Sequence, residues 1–135
     1  MPVRVNLDVQ ISVSSTSAAE KDLGNIKTSI LTDTWGEGGS RKLTIAGGTT
    51  DLLVSLCDLA DAKLLYLKTR PKGENDPAQS IIIKLNVVGA DPIDIDPFGD
   101  KKEGYFLVTT NGLTDIYVTN SGSVDVELTL VAAGD

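Results

Sequence analysis

Val3, Val5, Leu7, Val9, Ile11 and Val13 alternate without interruption with Arg4, Asn6, Asp8, Gln10 and Ser12. Successive side chains of an extended chain point to opposite faces, whereas a helix returns to one face every three to four residues. A period of two held from Val3 to Val13 therefore specifies a strand and excludes an amphipathic helix. Such a strand has one apolar face that must be covered. Ser14 to Asp22 is polar and rich in small residues and reads as a loop or tether. The N-terminus is thus expected to be a β-strand or arm over residues 1–15, joined by a polar tether over 16–23 to a domain over 24–135.

The rest of the chain punctuates short apolar runs with turns. Strands are expected from about Asn25 to Trp35, then, after a flexible turn at Gly36–Ser40, from Arg41 to Ala46. Leu52–Leu56 reads as a buried strand, Cys57–Asp61 as one helical turn and Ala62–Thr69 as a further strand. Arg70–Gln79, with two prolines and a glycine among charges, is an exposed loop, and the β-branched run Ser80–Val87 is a strand. Gly89–Gly104 is expected to wander over the surface. Tyr105–Thr110 and Leu113–Thr119 flank Asn111-Gly112, the sequence of a two-residue type I′ hairpin turn, and Val124–Val131 alternates again. About eight strands plus the N-terminal one predict an all-β fold: an antiparallel β-sandwich, jelly-roll-like.

Composition narrows the chemistry. A chain of 135 residues suits one domain, and its absence of histidine and single cysteine exclude most protein-held zinc, copper and haem sites and every scheme built on a histidine base. No metal, no cofactor and no enzymatic activity are expected. A net charge of −7 and a pI near 4.5 repel a phosphate backbone, so nucleic acid is not an expected partner. No apolar run approaches the ~20 residues that cross a bilayer, and the start has no leader-like apolar region, so a protein made and kept soluble in the cytoplasm, without a membrane partner, is expected.

Few residues offer themselves as a site. Asp91, Asp94 and Asp96 form an acidic run in which alternation puts Asp94 and Asp96 on one side, where hard oxygen ligands for Ca²⁺ would meet; solvated loop carboxylates are the commoner outcome. Trp35 with Tyr66, Tyr105 and Tyr117 would make a sugar-stacking platform if they converged, although tyrosines inside strands more often fill cross-strand positions. Asp58 and Asp61 are a carboxylate pair of the kind glycoside hydrolysis uses, but capping and solvation explain them more simply. Cys57 reads as a small buried apolar residue whose neighbour Asp58 would raise its pKa. The arm weighs most: Val3, Val5, Leu7, Val9, Ile11 and Val13 are candidate protein-contact residues, since a tethered amphipathic strand can complete a sheet edge in its own domain or in a neighbour.

The order Leu53–Leu56, Leu59–Leu67, Ser80–Asn86, Asp115–Asn120 and Val126–Val131 resembles small jelly-roll virion proteins of tailed bacteriophages, over roughly residues 24–132. The resemblance implies a non-enzymatic virion structural protein, a capsid decoration or auxiliary head protein. It would sit on the capsid exterior, bound to the major capsid protein and to copies of itself, as an oligomer and often a trimer in that group. No individual site residue carries over from it. The alternative is a carbohydrate-binding sandwich of a phage tail or fibre, with Trp35, Asp91, Asp94 and Asp96 as ligand contacts.

Overall fold

The structure, a computed structural model, describes residues 2–8, 10–14, 22–27 and 31–135. Among them are strands β1 (Val3–Leu7), β2 (Gln10–Ser14), β3 (Asp22–Lys27), β4 (Leu31–Trp35), β5 (Glu37–Ile45), β6 (Thr49–Ser55), β7 (Ala62–Pro71), β8 (Ile81–Leu85), β9 (Ile93–Ile95), β10 (Gly104–Leu113), β11 (Asp115–Asn120) and β12 (Val126–Gly134), and no helix. Strands β5 to β12 form two four-stranded antiparallel sheets, ordered β10-β7-β12-β5 and β6-β11-β8-β9. Counted along the chain as strands one to eight, the sheets read 6-3-8-1 and 2-7-4-5, which is the jelly-roll order. Only β8 to β9 is a connection within one sheet; every other step crosses the sandwich.

Alternation along each strand builds the core. Val126, Leu128, Leu130 and Ala132 of β12, Leu65 and Leu67 of β7, Ile81 and Ile83 of β8, and Ile116 and Val118 of β11 are all fully buried between the sheets. Each such large side chain removed from water contributes on the order of 1.5–3 kcal/mol against the entropy of ordering the chain. β12 is the central brace, paired along its length with β5 on one side and β7 on the other.

Four local expectations differ from the structure. Asn111-Gly112 makes no hairpin, because β10 and β11 lie in different sheets; the dipeptide sits in a bulge of β10 between the pairs Thr109↔Leu64 and Leu113↔Ala62, with Gly112 at φ 77°. Buried Leu113 then carries the chain across the core to β11. Gly36–Ser40 is no flexible turn: Glu37–Ser40 opens β5, where the end of β12 supplies its backbone partners. Cys57–Asp61 has no helical turn; Leu59 N–H donates to Leu56 O at 3.2 Å around Cys57 (φ 59°) and Asp58 (φ 60°), a type I′ β-turn. Within Gly89–Gly104, Ile93–Ile95 is a short edge strand, held by Ile81 and Ile83.

The N-terminal segment pairs within its own chain. β1 lies antiparallel to β4, from Val3↔Trp35 to Leu7↔Leu31, and β2 antiparallel to β3, from Gln10↔Lys27 to Ser14↔Asp22. The expected single strand from Val3 to Val13 is thus two ladder segments, and Val9 between them lies outside the described residues. So does most of the expected tether, residues 15–21, while Asp22 and Leu23 belong to β3.

Candidate assembly interface

The two-stranded ladders β1–β4 and β2–β3 are nested in sequence, and the root of the β1–β4 ribbon is unusual. Residues 31–45 run as nearly continuous extended chain across Gly36, paired first with β1 and then, from Glu37↔Gly134 onward, with β12. The ribbon is therefore a prolongation of β5, the edge strand of its sheet. In β1 and just after it, Arg4, Asn6 and Asp8 are exposed and Val5 and Leu7 half-buried, so the period-two pattern does set two unlike faces. Val3, Ile11 and Val13 are placed by backbone pairing, to Trp35, Ile26 and Gly24.

Two physical properties follow. A two-stranded ribbon on its own is marginally stable in water, since neither face is covered by a second layer. Among the described residues each ribbon strand pairs along one side, so these strands stand at sheet edges. Glu37 to Lys42 of β5, at the root, are exposed as well.

The other candidate residues do not gather. Trp35 ends β4 two residues before β5, at one edge of the sandwich; Asp94 lies on β9, which is the last strand of the other sheet. In a sandwich those edges are about three strand spacings apart, or ~15 Å. Asp91 precedes β9 and Asp96 follows it, all three aspartates are exposed, and Asp96 accepts a hydrogen bond from Ser80 Oγ at 2.7 Å. Among the described residues no group of three acidic or thiol side chains is arranged to hold a metal ion. Tyr66 and Tyr105 share the outer face of β7 and β10, where burial pushes the Tyr66 phenol up, whereas Tyr117 is on the outer face of the opposite sheet beside Leu53. They form no common platform.

Cys57 is half-buried in its turn, close to Gly39; burial first, and then Asp58, push its thiol up against the opposing influence of Arg41. Asp58 accepts from Ser55 Oγ at 3.3 Å within the same turn. Asp61 is held below the usual carboxylate range, first by the Lys63 ammonium at 2.5 Å and then by the Gly112 N–H at 2.6 Å, whereas the acid of glycoside hydrolysis is raised so as to be protonated at rest.

Sequence reasoning passed over a depression of about 500 Å³ at the far end of the sandwich, between the β7–β8 and β9–β10 loops. Its basic and acidic side chains balance in number, and several have partners: Lys102 Nζ donates to the Asp76 backbone carbonyl at 2.8 Å, the Asp76 carboxylate accepts from Gly73 N–H at 2.9 Å, and Glu103 pairs with Lys68 at 2.6 Å. The loop composition, charges between prolines, was the only signal for it.

No family model, curated protein or solved structure matches the chain.

Proposed function

We propose that this chain is a non-enzymatic structural subunit of a virion, an auxiliary protein that binds the outer face of a phage head and reinforces it alongside copies of itself. The observation that carries the reading is the ribbon: a two-stranded element of the kind that is marginal by itself, continuous with the edge strand β5, gains stability by packing on a sheet or surface of another subunit. The jelly-roll order supports it, because this architecture closes most strand edges into a stiff body and is frequent in capsid domains. The charge of −7 suits a position outside the shell, away from packaged DNA. Modest contacts per subunit then sum over the symmetry of the lattice.

Cosedimentation with empty capsids tests the ribbon directly. Val5→Glu with Leu7→Glu puts two charges on the apolar face of β1 and is expected to weaken capsid binding at least about tenfold, with the unfolding temperature of the sandwich unchanged. Binding at full strength in this variant would remove the ribbon from the mechanism.

A further inference from the structure

At the end of the sandwich from which the ribbon leaves, the Lys63 amine touches both the Asp61 carboxylate and the Asn111 carboxamide. Two irregularities of pairing place them. β12 skips Lys63 between the pairs Ala133↔Leu64 and Gly134↔Ala62, and on the other side of β7 the β10 bulge sets Thr110, Asn111 and Gly112 opposite the same lysine. Lys63 Nζ donates to Asp61 Oδ2 at 2.5 Å and to Asn111 Oδ1. The Asn111–Gly112 peptide is pinned from both sides: Gly112 N–H donates to Asp61 Oδ1 at 2.6 Å, and Gly112 O accepts from Asn86 Nδ2 at 3.0 Å.

We propose that Lys63 and Asn111 join in an intramolecular isopeptide bond between β7 and β10, with Asp61 as the proton carrier. Asp61 takes a proton from the Lys63 ammonium, and the freed electron pair on Nζ attacks Asn111 Cγ. The Nζ–Cγ bond forms, the Cγ–Nδ2 bond breaks, and the nitrogen of the carboxamide leaves. Two of the three ammonium protons pass to that nitrogen by way of Asp61, so ammonium departs, Asp61 ends ionised as it began, and Nζ keeps one hydrogen as a secondary amide. Nothing is oxidised or reduced and no co-reactant is used. The step is needed once per molecule, and holding nucleophile and electrophile in contact supplies effective molarities on the order of 10⁵ M or more. The rival route from this dipeptide, attack of Gly112 N on the Asn111 side chain to give a succinimide, requires a mobile peptide, and here that nitrogen is tied to Asp61.

Intact-mass measurement of the full chain, fresh and aged, with tryptic mapping, decides the matter. The expected result is a chain lighter than its sequence mass by one ammonia and a branched peptide joining Leu43–Lys68, uncut at Lys63, to Glu103–Asp135. Lys63→Arg, which keeps the cation, and Asn111→Ala should both restore full mass. A wild-type chain that keeps its full mass on ageing would overturn the proposal. So would an ammonia loss that persists in Lys63→Arg, since that places the event within the Asn111–Gly112 peptide.

Discussion

Asn120 is fully buried at the end of β11, and its amide joins three pieces of backbone. Nδ2 donates to Ile45 O at 3.1 Å and Val124 O at 2.7 Å, and Oδ1 accepts from Gly122 N–H at 3.2 Å. Asn120→Ala leaves those groups without partners where water cannot reach them, so a loss of about 3 kcal/mol is expected, read from the denaturant midpoint. At Glu103 the effect depends on pH. The Lys68 ammonium at 2.6 Å holds this carboxyl below its ordinary value of 4.5, so the folded chain binds the proton less readily than the unfolded one. The stabilisation is therefore complete above that value and is lost as pH falls through the lower, folded one. Thermal unfolding of Glu103→Gln and the wild type should differ at neutral pH and converge in acid; a constant gap would assign the effect to packing alone.

At the scale of elements, turn chemistry decides what is gained or lost. The Leu56–Leu59 turn needs positive φ at both central positions yet holds Cys57 and Asp58 there. Asp58→Gly relieves a left-handed conformation and should stabilise by about 1 kcal/mol, less what the Ser55 contact contributes, as a higher urea midpoint with unchanged slope. Gly134 shows the opposite case: a Cβ there would stand 2.1 Å from Asp61 O, a backbone atom, so Gly134→Ala must part the end of β12 from Asp61 and lower the unfolding temperature. These elements also mark where sequence was legible. Strands with one face in the core, such as β11 and β12, announce themselves by alternation. Asn111-Gly112 misleads because turn propensity is local, whereas the sheet a strand joins is set by distant partners. The first half of β5, Glu37 to Ser40, is invisible for the same reason, being held by backbone pairing to β12 rather than by its own composition, and β9 is too short for the alternation of Ile93 and Ile95 about Asp94 to stand out.

For the whole molecule, alternation and turn spacing were enough to predict a sandwich, because burial of apolar faces is a property each strand carries by itself. The partner of the N-terminal strand was not legible: β3 and β4 pair with it through backbone groups that any residue possesses. The Lys63–Asn111 juxtaposition was hidden too, arising from two bulges that no local pattern encodes. What the assembled fold presents is a stiff body with a paired ribbon growing from one edge, a shape suited to contact with other subunits. Imaging of particles labelled on this chain tests that reading most directly. Label spaced evenly over the head, in register with the shell, is the expected result; label confined to the tail, or absent from particles while the chain remains a free monomer, would contradict it.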